Sequence, residues 1–149
     1  GMTVISTPFG NLDFLLTHTI PQYCTHYPYY PSQFTEYYFQ QLLQTCEIMD
    51  FVEANCKSDA NIFVGDFNMG PNHQFYHMFK KVTGFKDSWI TCQGEDFGET
   101  FWDGVGGMTG RIDFMFHKNG NKSKMSALQP KAGKVVFDWA IDKAKGKTT

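Results

Sequence analysis

Residues 61–71, NIFVGDFNMGP, decide how the sequence is interpreted. The apolar, β-prone run at 62–64 predicts a short strand that is buried on both faces, as in the middle of an α/β sheet. The strand stops at Asp66 and Asn68, an acceptor-only carboxylate and an amide that can donate, before a Gly-Pro turn. Ligands commonly bind at strand ends in α/β sheets, so both side chains are site candidates. A plain Asp/Asn turn is the alternative.

Strand and helix patterns alternate on both sides of this segment. Residues 3–6 and 12–17 predict a β-hairpin, and residues 111–118 predict a strand. Helical spacing of apolar residues predicts helices within 34–56, with Phe39, Leu43 and Val52 in the apolar stripe, and within 72–85, ending at Gly84. Residues 86–91 predict an extended piece and residues 134–141 a last strand. Without repeats or linkers, residues 2–149 are expected to form a single domain.

Composition limits the possible functions. The chain has 149 residues, 42% apolar and 19% charged, which indicates a globular domain with a core. The net charge of −2 provides no general basic field for nucleic acid, so phosphate binding must be local. The four cysteines have no paired spacing that would indicate a zinc or redox motif. The sequence has neither a signal-peptide pattern nor a long apolar run, so we expect a cytoplasmic protein without a membrane span.

Two further motifs carry a family resemblance. His18 ends the apolar run of LLTH, and Asp113 stands two residues after Arg111 in RIDF. The order Thr-His, Gly-Asp-Phe-Asn, Arg-Ile-Asp resembles the endonuclease/exonuclease/phosphatase superfamily from about residue 12 to residue 116, and THTIPQY is similar to a run in neutral sphingomyelinases. The resemblance implies an α/β fold: a single mixed β-sheet with helices on one face, like the C-terminal half of the deoxyribonuclease-like four-layer sandwich.

The resemblance also implies metal-assisted phosphoester hydrolysis with magnesium or manganese. Asp66 would orient or deprotonate the attacking water, and Asn68 would hold a phosphate oxygen or the nucleophile. His18 would donate to a non-bridging oxygen, and Asp113 would orient a second histidine. Trp102 is a candidate for stacking on the substrate, with an ordinary loop role as the alternative. The expected substrates are phosphoester-containing small molecules, lipid headgroups or nucleic acid.

The sequence departs from the family near its C-terminus. Where the family has Ser-Asp-His, this chain has Phe-Asp-Trp, so Asp138 fits a metal-binding position but Trp139 replaces the histidine. An indole has no basic nitrogen and cannot act as a general base. Arg111 or Lys118 would then be expected to neutralise Asp113.

The sequence also lacks a counterpart of the family's N-terminal half and its metal-binding glutamate. We therefore expect any metal to bind weakly, and an apolar sheet face to need a cover. A second copy in a homodimer, another polypeptide or the Tyr-rich loop at residues 21–33 would supply one. Two functions remain open: a hydrolase that is incomplete or weakly active as this chain, or a catalytically inactive relative that acts as a binding module.

Overall fold

The structure is a computed structural model that describes residues 1–21, 37–94, 98–102, 109–120 and 128–134. Its strands and helices follow in the order β1 Met2–Thr7, β2 Gly10–His18, α1 Tyr38–Asn55, β3 Ala60–Asp66, α2 Gln74–Thr83, β4 Lys86–Asp87, α3 Ser88–Gln93, β5 Phe101–Trp102, β6 Thr109–Gly110 and β7 Asp113–Asn119. None of the helices within these ranges is long and apolar enough to cross a membrane.

In the described part of the chain, five strands form one mixed sheet in the order β1-β2-β3-β7-β4. β2 and β3 are parallel, whereas the other neighbouring strands are antiparallel. β5 and β6 form a separate two-stranded ribbon. The predicted single mixed sheet is therefore confirmed, and the parallel pair aligns the C-terminal ends of β2 and β3 at one edge.

The core lies on the sheet face that α1 and α2 cover. The register places Leu15, Phe63 and Phe116 side by side on this face, and all three are buried. Phe67 follows β3 and its ring centroid lies 5.2–6.0 Å from those of four other phenylalanines: Phe63, Phe79, Phe114 and Phe116. Much of the aromatic content thus anchors the loop that follows β3.

Residues 86–91 are not an extended piece, so that prediction is wrong. Only Lys86 and Asp87 pair with β7, and α3 begins at the next residue. The Asp87 carboxylate accepts hydrogen bonds from the backbone N–H groups of Trp89 and Ile90, at 2.9 and 3.3 Å. This N-cap supplies acceptors for the free N–H groups of the first turn and outweighs the β-propensity of the Trp-Ile-Thr run.

The apolar stripe predicted for α1 is only partly correct. Val52 is buried, but Phe39 and Leu43 are exposed. The buried face of the helix instead carries two polar side chains, Gln41 and Thr45. On α2 the predicted stop is confirmed, because Gly84 has φ 74°, a left-handed conformation that favours glycine.

Candidate active site

Three separated sequence motifs meet at one edge of the sheet. The register pairs His18 of β2 with Asp66 of β3, and Asp66 with Asp113 of β7. Directly paired residues point to the same face of a sheet, so the three side chains form one row. His18 Nε2 lies 3.6 Å from Asp66 Oδ2. The structure thus brings the three residues together as the sequence predicts, while their catalytic roles stay predictions.

Gly65 permits the close pairing of β2 and β3 just before the row. A Cβ at this position would lie 2.1 Å from the Thr17 carbonyl oxygen, closer than any side chain allows. Its φ of 155° is also one that other residues rarely adopt. The glycine of Gly-Asp-Phe-Asn is therefore required by the close packing of β3 against β2 next to the row.

The loop after β3 is held by hydrogen bonds within itself and to the loop after β2. Asn68 has φ 47°, and in this conformation its N–H donates to Asp66 Oδ1 at 2.8 Å. Its Nδ2 donates to the Thr19 carbonyl at 2.8 Å. In return, buried Thr19 donates its hydroxyl to the Phe67 carbonyl at 2.5 Å and its N–H to the Asp66 carbonyl at 3.0 Å. The two loops therefore form one rigid unit.

The electrostatics of the row raise the pKa of Asp66. Burial raises the pKa of Asp66 above its ordinary value, and the neighbouring Asp113 carboxylate adds to the rise. The Asn68 N–H and the His18 side chain act in the opposite direction. His18 is mostly exposed and Asp66 is partly buried, so the row is open to a ligand from the solvent side.

Asp113 is fixed through its backbone. Thr100 Oγ1 accepts hydrogen bonds from the N–H groups of Ile112 and Asp113, each at 3.2 Å, and the Ile112 carbonyl accepts from Phe67 N–H at 2.8 Å. The hydroxyl of a loop threonine therefore positions the start of β7. Nothing in the sequence alone singled out Thr100 for this task.

The expected neutralisation of Asp113 by Arg111 or Lys118 is wrong. Arg111 is buried, and its Nη1 lies 2.8 Å from Asp87 Oδ2. Lys118 Nζ donates to the Thr83 carbonyl at 2.7 Å. Lys118 stands five positions after Asp113 in β7, so strand alternation places it on the opposite face of the sheet, and Arg111 precedes the strand and pairs with Asp87 instead.

Two predicted site residues are not settled by this geometry. Trp102 ends β5, two residues after Thr100, and its substrate-binding role stays a prediction. Asp138 and Trp139 lie outside the described residues, and with them the predicted metal ligand and all but the first residue of the predicted last strand.

A glutamine of α1 belongs to the site, although sequence reasoning missed it. Gln41 is 0% exposed, and its Nε2 lies 3.1, 3.4 and 3.0 Å from the carbonyl oxygens of Ile20, Phe67 and Asn68. These carbonyls belong to the two loops of the site. The only signal in the sequence is a polar residue among apolar ones on a helix face.

This fold and site define a class: an α/β half-sandwich with a histidine and two carboxylates at its strand ends. The chain belongs to the Endonuclease/Exonuclease/phosphatase family, which it matches over residues 4–132. Family membership places it in a superfamily of phosphoesterase-type hydrolases. No curated protein matches the chain by sequence.

Three solved structures are similar to this chain, and the first two, with TM-scores above 0.5, support the same fold. Beta toxin from Staphylococcus aureus is 17% identical with a TM-score of 0.56, over 86% of this chain and 44% of the toxin. A β-hairpin deletion mutant of the toxin is 18% identical with a TM-score of 0.55, over 92% of this chain and 51% of the mutant. Truncated TDP2 from Caenorhabditis elegans is 19% identical over 83% of this chain and 46% of that chain, at a TM-score of 0.49. The chain spans about half the length of these proteins.

The described residues do not complete a metal site. Family members typically depend on a divalent cation, and Mg²⁺ prefers about six oxygen ligands in octahedral array. Within the described ranges, no three His, Cys, Asp or Glu side chains are placed to hold one ion. Asp66 and Asp113 offer carboxylate oxygens, but Asp66 Oδ1 is already engaged by Asn68 N–H.

Proposed function

We propose that this chain carries the phosphate-binding and proton-transfer part of a phosphoester hydrolase site. The observation that carries the proposal is the row His18–Asp66–Asp113 at the open edge of the sheet. A carboxyl with a raised pKa is suited to accept a proton from an attacking water, because general bases work best near the operating pH. A hydrogen bond donated by the His18 ring would stabilise negative charge that develops on a phosphate oxygen.

Asn68 has a double task in this proposal. Its Nδ2 already donates one hydrogen bond to the Thr19 carbonyl. One N–H and the side-chain oxygen remain for the attacking water or a phosphate oxygen, since a carboxamide has two donors and one acceptor group. The bond to Thr19 fixes the orientation in which those groups are offered.

The substrate class follows the chemistry of the row. A phosphoester of a small molecule, a lipid headgroup or a nucleic acid would supply the phosphate that His18 and Asp66 contact. The net charge of −2 disfavours a long nucleic acid, whose binding relies on many basic contacts. We propose that the chain by itself turns over such substrates slowly and binds magnesium or manganese weakly, because its described donors are too few for a complete metal site.

The test is hydrolysis of bis-(4-nitrophenyl) phosphate with magnesium or manganese, using wild type, Asp66→Asn, His18→Ala and the control Glu47→Gln. Glu47 is exposed on α1. We expect slow turnover that falls at least tenfold in the two site variants, as is usual for loss of an acid–base group, and no change in the control. Turnover that is equal in wild type and Asp66→Asn would contradict the proposal.

A catalytically inactive binding module is the second candidate. It is favoured by residues 137–139, where Phe-Asp-Trp stands in place of the family's Ser-Asp-His and supplies no imidazole. In that case titration with inorganic phosphate would shift the His18 ring signals in an NMR spectrum, whereas the hydrolysis assay would give no turnover with either metal.

We also propose that the chain pairs with a second copy through the sheet face opposite α1 and α2. The register places seven large apolar residues on this face: Ile5, Leu12, Phe14, Leu16, Ile62, Val64 and Met115. Leu16 and Met115 are 56% and 52% exposed. None of these apolar residues carries a charge, so the apolar parts of two such faces can meet without burying an unpaired ion, provided that the His18–Asp66–Asp113 edge stays outside the contact.

Light scattering at micromolar concentration tests the dimer. We expect the mass of two chains for the wild type and of one chain for Leu16→Lys and Met115→Lys. Val82→Lys is the matched control, because Val82 is similarly exposed but lies on α2, in the helical layer. A wild type that is strictly monomeric would exclude this arrangement.

A further inference from the structure

Two glutamines of α1 bond both backbone polar groups of one residue, Ile20, in the loop after β2. The Ile20 N–H donates to Gln44 Oε1 at 2.8 Å, and the Ile20 carbonyl accepts from Gln41 Nε2 at 3.1 Å. Ile20 lies beyond the end of β2 and has left the sheet ladder. Buried backbone groups need partners, and here helix side chains supply them in place of a neighbouring strand.

Gln41 also reaches the loop after β3. Its Nε2 lies 3.0 Å from the Asn68 carbonyl and 3.4 Å from the Phe67 carbonyl. An amide nitrogen has two hydrogens, and the Phe67 carbonyl already accepts the shorter bond from the Thr19 hydroxyl, at 2.5 Å. The two hydrogens of Gln41 are therefore best assigned to Ile20 and Asn68, one in each loop.

The restrained conformation of Asn68 matters for the row. Its φ of 47° is a left-handed conformation, which costs an L-residue roughly 1 kcal/mol and persists only where the surroundings hold it. In this conformation the Asn68 N–H points at Asp66 Oδ1. A bond to the Asn68 carbonyl fixes the plane of the following peptide and so restricts rotation at Asn68.

We infer that Gln41 is a positioning residue: it holds Asn68 in the left-handed conformation from which the Asn68 N–H restrains the Asp66 carboxylate. The inference rests on the proposed function only where it gives Asp66 a part in hydrolysis. The chain of contacts runs from α1 through Asn68 to Asp66, and Gln41 itself touches neither carboxylate.

Gln44 and Thr45, two neighbours of Gln41 on α1, provide control variants that distinguish this positioning role from a general loss of packing. Gln44 bonds only the Ile20 N–H among the loop groups named above. Thr45 is buried on the same helix face as Gln41, and its hydroxyl donates to the Gln41 carbonyl at 2.8 Å. Thr45→Val removes a buried hydrogen bond without touching either loop, so it reproduces a loss of stability without a loss of positioning.

The experiment follows two NMR readouts in wild type, Gln41→Met, Gln44→Met and Thr45→Val. One is the pKa of Asp66 from its carboxyl carbon signal, and the other is amide hydrogen exchange at Asn68 and Ile20. In Gln41→Met we expect exchange at Asn68 to accelerate about tenfold, as for one lost hydrogen bond, and the pKa of Asp66 to rise because the Asn68 N–H no longer stabilises its charged form. In Gln44→Met, exchange should accelerate at Ile20 while the pKa of Asp66 stays at the wild-type value. Thr45→Val should change neither readout.

An unchanged pKa of Asp66 in Gln41→Met would overturn the inference. So would equal changes in Gln41→Met and Thr45→Val, since these would report loosening of the helix as a whole. If Gln41→Met fails to fold, Gln41→Asn replaces it, because this shorter amide keeps the polarity but does not span to the Asn68 carbonyl. Neither readout uses turnover, so the result stands whether or not the chain hydrolyses a phosphoester.

Discussion

The Arg111–Asp87 ion pair offers a sharp test of how the fold supports the site. Both side chains are at most 2% exposed, and Nη1 lies 2.8 Å from Oδ2. Tyr76 donates its hydroxyl to the same Oδ2 at 2.8 Å, while Asp87 Oδ1 caps α3. Arg111 also stacks on the Phe114 ring, with its guanidinium carbon 4.6 Å from the centroid. One buried carboxylate therefore links α2, α3 and the segment that leads into β7.

Replacing Arg111 with Met would leave the Asp87 charge buried without its cation. Removing one partner of a buried ion pair costs about 3–5 kcal/mol. The lower end applies here, because Tyr76 and the α3 N–H groups continue to stabilise the carboxylate. In addition, none of the three guanidinium nitrogens of Arg111 has a partner in hydrogen-bond geometry among the described residues, so the variant loses the ion pair but no hydrogen bond. We expect a loss of about 3 kcal/mol, which corresponds to a drop in Tm of roughly 6–12 °C for a domain of this size.

Urea unfolding followed by far-UV circular dichroism measures this loss. Lys118→Met is the matched control, since Lys118 stands on β7 and loses only one hydrogen bond, to the Thr83 carbonyl. That change should cost about 1 kcal/mol. A loss for Arg111→Met no larger than the loss for the control would refute the reasoning, because it would mean that the buried carboxylate does not need its cation.

Three further outcomes follow from the site. Asp66→Asn should be more stable than wild type at neutral pH and lose that advantage in acid. The pKa of Asp66 is raised in the folded protein, so the wild type loses stability as the pH rises from the ordinary value of 3.8 through the folded pKa, whereas the neutral asparagine does not. A lower Tm of the variant at pH 7 would contradict this. Gly65→Ala should lower the free energy of unfolding by about 1–3 kcal/mol through the clash with the Thr17 carbonyl, and with it the urea midpoint. Gly70→Ala, whose Cβ meets nothing within 4 Å, should leave the midpoint unchanged; equal midpoints of the two variants would contradict the clash. Phe67→Ala should cost about 3–5 kcal/mol in the same assay, and a smaller loss than 1 kcal/mol would show that the aromatic cluster does not anchor the loop.

The row of polar anchors could be predicted from the sequence because its signals are local. His18 and Asp66 each end an apolar run, and the ends of two parallel strands meet at one edge of a sheet. Aspartate is disfavoured in strands, so its presence at position 113 indicates that the side chain has a specific role. Its place at the first residue of β7 puts it level with Asp66.

The supporting residues could not be predicted, because their partners are distant in sequence. Gln41 bonds carbonyls 21 and 27 residues away, and Arg111 pairs with an aspartate in another element. A buried polar residue on a helix face looks like an interruption of the apolar stripe until the loops that it bonds are in place. The same holds for Asp87. The β-branched and aromatic residues that follow it favour a strand, so the sequence alone did not indicate that Asp87 is the N-cap of a helix.

The polar row and the exposed apolar face are parts of one surface. Leu16, Val64 and Met115 are paired across β2, β3 and β7 two residues before or after the row on each strand, and alternation puts them on the same face as His18, Asp66 and Asp113. A polypeptide that covers the apolar residues would therefore also approach the carboxylates within about 7 Å along the strands. Burying the sheet face and supplying further groups to the site would then be one event. On this reasoning the dimer variants Leu16→Lys and Met115→Lys should also alter the pKa of Asp66 by changing the solvent access and charge beside it, whereas Val82→Lys should leave the pKa as it is.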